Sequence, residues 1–373
     1  MDIKRMIRPE VDTLPRPVHG GKAWKLRGIE DFSHNLNPFG PPEGLGAMME
    51  EAAAGVGHYP DDGCSELKEA LSRRFGVGKE NVIVGAGSSD LIRLFPTVFI
   101  RPGDSVLMPR PTFAEYSFQC QLMGGRINDL LLIEGEDFRL DVERTLATVN
   151  HSTKVLYLCN PNNPTGRVEE RAAILEIVQE CEKRGVLVFL DETLLELAPR
   201  SRERSCVDQV EGHDNLFVIG SMTKSFAIPG IRIGFGFGSK RLIDCMNAAR
   251  LSWNVGHIEQ CVATRLIDDH YGHVERAARM LDEERQWMQR ELSKLAFPSS
   301  RTPDAYFFFS SMRPLAVTGH EMQGVMLNRG IMVRDCASFG RPFDNFIRFC
   351  VKDRERNEAF VHAMHDSLLA IGW

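Results

Sequence analysis

Six short apolar segments, separated by stretches with helical periodicity, occupy the middle of this 373-residue sequence. They are rich in Val, Ile, Leu and Phe and are bounded by Gly, Pro, Asn or Asp, a pattern typical of buried β-strands. The segments are residues 81–87, 104–109, 153–161, 185–192, 215–221 and 230–238. Because strands that are buried on both faces and joined by helices form parallel sheets, the sequence predicts an α/β fold with a largely parallel central sheet.

The chain is longer than a usual single-core domain, and its pattern changes near residue 239, which predicts a domain boundary near residues 245–260. A long charged helical stretch follows, and then alternating patches such as AYFFFSS and NFIRFCV, which predict a smaller α+β lobe. We therefore expect a large domain over residues 44–250 and a small C-terminal domain over residues 251–373. The Pro- and Gly-rich residues 1–43 are expected to form an arm that belongs to the small domain and the substrate site.

Composition argues against several classes of protein. A net charge of −6 gives no reason to expect a nucleic-acid or membrane partner, and no apolar run has the length of a membrane helix. The first residues lack the apolar core of a signal peptide, and the nine cysteines form no CxxC pair, so we expect reduced thiols and a cytoplasmic location. The histidines of DDHYGH and HAMH lack further ligands, so no metal site is expected.

Polar residues follow the ends of several predicted strands, where α/β sheets bind ligands. A GAGSSD turn (85–90), a PNNPTG turn (161–166) and Asp191 each have an ordinary explanation as a capped turn or an N-cap. Lys224 and Arg232 follow in SMTKSFAIPGIRIGF. Together these residues could anchor the phosphate, ring oxygen, ring nitrogen and aldehyde of pyridoxal phosphate, with Lys224 as the covalent attachment point.

The pattern S-x-T-K-x-x-x-x-P-G-x-R-x-G from Ser221 to Gly234, with PNNPTG and DE upstream, resembles the fold-type I pyridoxal-phosphate enzymes of the class I/II aminotransferase superfamily. The resemblance covers nearly the whole chain and implies the PLP-dependent transferase fold. It implies that Lys224 and Asp191 are catalytic, with Asp191 as the partner of the pyridinium nitrogen. The other cofactor-binding residues that it implies are Gly87, Ser88, Phe113, Asn163, Ser221, Thr223, Arg232 and Tyr59.

Within that set, the resemblance gives individual roles. Phe113 stacks on the cofactor ring, and Asn163 donates to the ring hydroxyl oxygen. Tyr59 reaches the cofactor phosphate of a neighbouring subunit, which implies a homodimer with shared sites. One position departs from many aminotransferases, since Leu194 replaces a tyrosine that donates to the ring hydroxyl.

The N-terminal arm carries the segments PVHGGKAW (17–24) and DFSHNLNPFGPP (31–42). They resemble the threonine-phosphate decarboxylases of cobalamin synthesis more closely than the related histidinol-phosphate aminotransferases. This resemblance implies that His19, Gly20, Asn35 and Asn163 bind the substrate. From the residues alone, HGG would be a flexible arm and NPFGPP a tight turn.

Two arginines, Arg334 and Arg348, lie in apolar strand-like runs, where an unpaired guanidinium is unexpected. Arginine pairs bidentately with carboxylate or phosphate. The resemblance assigns the substrate carboxylate to Arg348 and the substrate phosphate to Arg334. A salt bridge within the protein is the alternative.

We therefore expect PLP-dependent decarboxylation of L-threonine O-3-phosphate to (R)-1-amino-2-propanol O-2-phosphate. A histidinol-phosphate aminotransferase, or another PLP aminotransferase, is the nearest alternative. O-phospho-L-serine is an alternative substrate, because one methyl group is worth only about 1–3 kcal/mol of discrimination. A non-catalytic protein of the same fold is disfavoured by the presence of Lys224, Asp191 and Arg232.

Overall fold

A seven-stranded sheet lies at the centre of the structure, a computed structural model that describes residues 1–18, 20, 23–295, 297 and 302–373, with only the backbone of Trp24. Strands β2 to β8 form this sheet, and the remaining strands form two smaller sheets. In chain order, the strands of the described residues are β1 (Glu30–Asp31), β2 (Val82–Gly85), β3 (Ser105–Arg110), β4 (Arg126–Leu131), β5 (Thr153–Cys159), β6 (Leu187–Asp191), β7 (Leu216–Ser221), β8 (Gly234–Gly238), β9 (Phe307–Ser311), β10 (Ile331–Met332), β11 (Arg334–Asp335) and β12 (Phe346–Cys350).

Helices connect most of these strands. In chain order they are α1 (Pro9–Thr13), α2 (Leu45–Ala53), α3 (Ser65–Phe75), α4 (Ser88–Phe99), α5 (Ala114–Leu122), α6 (Val142–Thr148), α7 (Arg171–Lys183), α8 (Ser201–Arg204), α9 (Met222–Ser225), α10 (Lys240–Ala249), α11 (His257–Asp269), α12 (Tyr271–Lys294), α13 (Gly319–Leu327) and α14 (Arg354–Ala370). Of the helices in the described ranges, none has the length and apolar character that a membrane span requires.

The central sheet has the order β2-β8-β7-β6-β5-β3-β4. All of its neighbouring strands run parallel except β8, which is antiparallel to both β2 and β7. The prediction of an α/β fold with a largely parallel sheet is therefore confirmed. The edge strand β4 was not predicted, because most of its residues are exposed or half-buried and its sequence, RINDLL, lacks a continuous apolar run.

Strand β8 reads Gly-Phe-Gly-Phe-Gly, and its glycines make room for aromatic rings of the neighbouring strand. A Cβ atom on Gly236 would lie 2.5 Å from the ring of Phe217. A Cβ atom on Gly220 of β7 would similarly lie 2.3 Å from the ring of Phe235. The alternating glycines of β8 therefore leave space for aromatic rings between the two strands, and the rings fill that space at the density of a protein interior.

Two smaller sheets form beside the central one. Strands β11, β12 and β9 make an antiparallel sheet, and β1 pairs in parallel with β10. The pairing of Glu30 with Ile331 fixes part of the arm to the C-terminal third of the chain. The domain limits 1–43, 44–250 and 251–373 stay a prediction.

Candidate active site

A cavity of about 280 Å³ lies where the carboxyl ends of β5, β6 and β7 meet the arm and the small antiparallel sheet. Its lining brings together most of the residues singled out in the sequence. These are Gly20, Asn35, Ser88, Phe113, Asn163, Asp191, Lys224, Arg334 and Arg348. Sites at the carboxyl ends of parallel strands are the rule in such sheets.

A larger cavity of about 700 Å³ lies between β7, β8 and α12, but its lining contains none of the predicted site residues. It does contain Glu192 and Glu196, and burial raises the pKa of each to about 7. Both carboxyl groups have hydrogen-bond partners within the protein, namely Ser205 for Glu192 and Tyr271 for Glu196. We therefore locate the candidate active site in the smaller cavity.

Lys224 lies in α9, the single turn that follows β7. The turn is capped by Ser221, whose hydroxyl accepts from the backbone N–H of Thr223 at 3.2 Å. Burial, and then the nearby positive charges of Arg348 and Arg232, lower the pKa of Lys224 to about 8. A lysine with a depressed pKa is a competent nucleophile toward an aldehyde.

Asp191 ends β6 and is 4% exposed. The hydroxyl of Tyr116 donates to its Oδ2 at 2.5 Å, and the backbone N–H of Thr193 donates to its Oδ1 at 2.8 Å. Burial raises the pKa of Asp191, and the two hydrogen bonds oppose that rise. A buried carboxylate held in this way suits a cationic partner such as a protonated pyridine nitrogen.

The N-terminus of α4 meets a guanidinium. Gly87 precedes the helix with φ +83°, and Nη2 of Arg232 donates to Ser89 Oγ at 3.1 Å. A Cβ atom on Gly87 would lie 2.3 Å from Nη2 of Arg232, so only glycine admits the cation so closely. Backbone N–H groups at a helix N-terminus beside a cation are suited to an anion, and this cradle fits the phosphate of the implied cofactor.

Aromatic and amide groups complete the cofactor side. The ring of Phe113 lies at the cavity wall and meets that of Tyr116 edge-on, with centroids 5.5 Å apart. The side-chain oxygen of Asn163 accepts from Nη1 of Arg348, so its amide nitrogen is the group that could donate to a cofactor oxygen. Leu194 lines the cavity, so the departure from the aminotransferase pattern lies at the site itself.

The two predicted substrate arginines are both buried in the cavity wall. Nη2 of Arg348 donates to the backbone oxygen of Ser33 at 2.6 Å, and its Nε has no hydrogen-bond partner among the described residues. Nη2 of Arg334 donates to the backbone oxygen of Val18 and to Ser338 Oγ, each at 2.7 Å. Burial lowers the pKa of both guanidinium groups, and an anionic ligand would compensate that cost.

Part of the predicted set lies elsewhere. Tyr59 is 75% exposed, outside the cavity, and stacks on Trp253 with ring centroids 4.6 Å apart. Its contact with a neighbouring subunit stays a prediction. His19 lies outside the described residues.

The sequence did not predict three features of this cavity. Two are contacts, the hydrogen bond of Tyr116 to Asp191 and that of Arg334 to Ser338, and the third is the presence of His34 in the lining. Tyr116 lies three residues after Phe113, in the first turn of α5, and His34 lies directly before Asn35. These spacings were the available signals. Within the described residues, no group of three or more His, Cys, Asp or Glu side chains could hold a metal ion.

Comparison with known proteins gives a family and named relatives. The sequence model of the family described as aminotransferase class I and II matches residues 27–364. A histidinol-phosphate aminotransferase of Moorella thermoacetica is 29% identical over 345 residues, which cover 91% of this chain and 86% of the relative. A protein of Caldanaerobacter subterraneus subsp. tengcongensis, which is provisionally named threonine-phosphate decarboxylase, is 32% identical over 353 residues. These residues cover 93% of this chain and 92% of the relative.

Solved structures give the same picture of the fold. The histidinol-phosphate aminotransferase of Clostridium acetobutylicum superposes with a TM-score of 0.83 at 25% identity, covering 92% of this chain and 100% of that one. The enzyme of the same name from Sinorhizobium meliloti, in complex with pyridoxal 5'-phosphate, superposes with a TM-score of 0.85 at 20% identity over 98% of both chains.

Proposed function

This chain belongs to the aminotransferase class I and II family, and from that premise we propose that it decarboxylates L-threonine O-3-phosphate. Its cofactor, like that of the family, is pyridoxal 5'-phosphate. The net reaction breaks the bond between Cα and the carboxylate carbon, releases carbon dioxide and adds one proton to Cα. The product is (R)-1-amino-2-propanol O-2-phosphate, which would serve cobalamin synthesis.

One observation carries this proposal: backbone carbonyls of the arm fix both substrate arginines. Ser33 accepts from Arg348, and Val18 accepts from Arg334. These carbonyls belong to the two arm segments that resemble the decarboxylases rather than the aminotransferases. The decarboxylase-like part of the sequence is therefore also the part that shapes the anion-binding side of the cavity.

The charges of the cavity agree with a substrate that carries two anions. Arg348, fixed by Ser33 and Asn163, would hold the α-carboxylate, and Arg334 would hold the phosphate. When both anionic groups of a small substrate are bound, its orientation is fixed, and this orientation determines which bond at Cα lies perpendicular to the cofactor ring and is cleaved. The 32% identity to the Caldanaerobacter protein supports the same substrate class.

The cofactor, when bound, supplies an electron sink for the pair released at Cα. The amine of Lys224 would hold it covalently, and its depressed pKa favours the unprotonated form that bonding requires. Asp191 would keep a proton on the ring nitrogen, with Tyr116 and Thr193 fixing the two carboxylate oxygens. Leu194 supplies no hydroxyl to the ring oxygen, which leaves Asn163 as the proposed donor there.

The test is incubation of the purified enzyme with O-phospho-L-threonine in the absence of any keto acid. We expect carbon dioxide and the phosphorylated amino alcohol in equal amounts. Lys224→Ala is the control. Carbon dioxide release no faster than that of the control would contradict the proposal.

A histidinol-phosphate aminotransferase is the second candidate function. It is favoured by several relatives with that name, including the Moorella protein and one from Methanocaldococcus jannaschii at 28% identity. That function requires amino transfer between histidinol phosphate and 2-oxoglutarate, which a coupled assay measures directly. O-phospho-L-serine is tested in the decarboxylation assay, because a missing methyl group costs only about 1–3 kcal/mol.

We further propose a cytoplasmic homodimer in which Tyr59 contacts the partner's cofactor phosphate. The exposed stack of Tyr59 on Trp253 supports this, because exposed aromatic side chains are typical of interfaces. All nine cysteines lie in the described residues and are free, in keeping with a reducing compartment. Sedimentation of the purified protein tests the dimer.

A further inference from the structure

His34 and Asp31 form a hydrogen-bonded pair on the arm side of the cavity. Nδ1 of His34 lies 2.6 Å from Oδ2 of Asp31. The other carboxylate oxygen accepts from the backbone N–H and the hydroxyl of Ser33, at 2.8 Å and 2.6 Å. Burial by itself would raise the pKa of Asp31, but the bonds from His34 and Ser33 outweigh it and lower that pKa below its ordinary value.

This pairing fixes the imidazole ring and leaves its other nitrogen for a ligand. A carboxylate at Nδ1 keeps a proton on that nitrogen and fixes the orientation of the ring, and Nε2 donates to an anion when it carries the second ring proton. Nε2 has no hydrogen bond within the described residues, and His34 lines the cavity. A Cβ atom on Gly20 would lie 3.0 Å from Nε2, so this nitrogen faces the arm segment that contains Gly20.

The surroundings of Nε2 point to the phosphate end of the substrate. Gly20 lies two residues after Val18, whose carbonyl binds Arg334, the arginine proposed to hold the phosphate. Nη2 of Arg334 already donates to Val18 and Ser338. A phosphate monoester carries a charge of about −1.5 to −2 near neutral pH and three acceptor oxygens, so one partly engaged guanidinium leaves it short of donors.

We propose that His34, oriented by Asp31, donates from Nε2 to the phosphate of the substrate and makes this site selective for phosphorylated over unphosphorylated amino acids. The inference rests on the proposed function only in requiring a phosphorylated substrate. A purely structural role accounts for the bond at Nδ1. It does not account for Nε2, which lies toward Gly20 in the cavity lining and has no hydrogen bond within the described residues.

The experiment compares ligand binding to holoenzyme of the wild type, His34→Ala and Asp31→Asn. The change in cofactor absorbance, followed by stopped flow before the first turnover, gives the dissociation constants of O-phospho-L-threonine and L-threonine, and calorimetry gives that of inorganic phosphate. Because a hydrogen bond to a charged group contributes about 1.5–3 kcal/mol, His34→Ala should weaken both phosphate probes about 10- to 100-fold. L-threonine should change less than about 2-fold, since it lacks the group that His34 contacts.

Asp31→Asn should give a smaller loss with the same selectivity, because the amide oxygen can still accept from Nδ1 but orients the ring through a weaker, uncharged hydrogen bond. His213→Gln is the matched control, because His213 also pairs with a carboxylate, Glu182 at 2.8 Å, but does not line the cavity. It should leave all three constants unchanged.

Equal losses for O-phospho-L-threonine and L-threonine, or no loss for the phosphate probes, would overturn the inference. So would a wild type that binds neither phosphate probe. If the wild type binds O-phospho-L-threonine but releases no carbon dioxide, the decarboxylase proposal is wrong, while the binding comparison still decides the role of His34.

Discussion

Arg334 and Arg348 lie directly opposite each other on the antiparallel strands β11 and β12. This register brings two buried guanidinium groups into the wall of one cavity, and backbone carbonyls of the arm hold each of them. Like charges this close disfavour an empty site and favour a ligand with two anions.

Replacing Arg348 by lysine tests the geometry of this pair separately from its charge. Lysine keeps one positive charge but cannot bond Ser33, Asn163 and a carboxylate in one plane. We expect kcat/KM for O-phospho-L-threonine to fall about 10- to 100-fold, in line with the loss of one or two charge-assisted hydrogen bonds. Arg73→Lys, in a surface pair with Asp268, is the control and should leave kcat/KM unchanged. Equal activity of Arg348→Lys and the control would refute a carboxylate-binding role.

Tyr116→Phe removes the hydrogen bond to Oδ2 of Asp191. Since that bond opposes the rise in the pKa of Asp191 caused by burial, its loss raises that pKa further. Activity that needs ionised Asp191 should then be lost at a higher pH on the acid side of the pH–rate profile, and kcat should fall about 10-fold. Tyr157→Phe, whose ring stacks on Tyr116, is the matched variant and should keep the wild-type profile. An acid limb at the same pH in all three proteins would contradict this account.

The pKa of Lys224, about 8, predicts how cofactor-free protein takes up pyridoxal phosphate. Only the unprotonated amine reacts, so the rate of covalent attachment should rise with pH, reach half its maximum near pH 8 and level off about one pH unit above that. In Arg348→Ala the rise should shift to higher pH, because a nearby positive charge that lowers the pKa of Lys224 is gone. Borohydride trapping and mass spectrometry measure the attached fraction. A midpoint near the ordinary lysine value of about 10.4 in the wild type would contradict the prediction.

Gly87→Ala tests the phosphate cradle. The new methyl group would lie 2.3 Å from Nη2 of Arg232 and would displace that guanidinium. Because the displaced guanidinium loses its charge-assisted hydrogen bonds to the cofactor phosphate, we expect the cofactor dissociation constant to rise at least about 10-fold. Gly76→Ala is matched, because Gly76 also has a positive φ, +72°, but a Cβ atom there meets nothing within 4 Å. Both variants should lose about 1 kcal/mol of stability from backbone strain, and only Gly87→Ala should lose cofactor affinity. Equal cofactor affinity of the two variants would exclude the cradle.

The sequence predicted correctly those strands and helices whose buried positions follow from the apolar pattern of neighbouring residues. Strands β6 and β7 are continuous apolar runs, and α7, between β5 and β6, has helical periodicity, so neighbouring residues suffice to define them. The edge strand β4 escaped prediction because an edge strand with exposed faces does not need an apolar pattern.

The contacts of the site depend on pairs that are far apart in sequence. The bond of Tyr116 to Asp191 spans 75 residues, and that of Arg334 to Val18 spans 316. Such contacts follow from sheet register and side-chain rotamers, which local periodicity does not specify. The motif from Ser221 to Gly234 could point to the cofactor, whereas the presence of His34 in the same cavity lining as the arginines follows only from the fold.

Carbon dioxide release from O-phospho-L-threonine carrying a labelled carboxylate tests the central claim most directly. With purified enzyme, pyridoxal phosphate and no keto acid, we predict one labelled carbon dioxide and one 1-amino-2-propanol O-2-phosphate for each substrate consumed, and none from Lys224→Ala. No labelled carbon dioxide, together with amino transfer from histidinol phosphate to 2-oxoglutarate by the same preparation, would contradict the decarboxylase assignment.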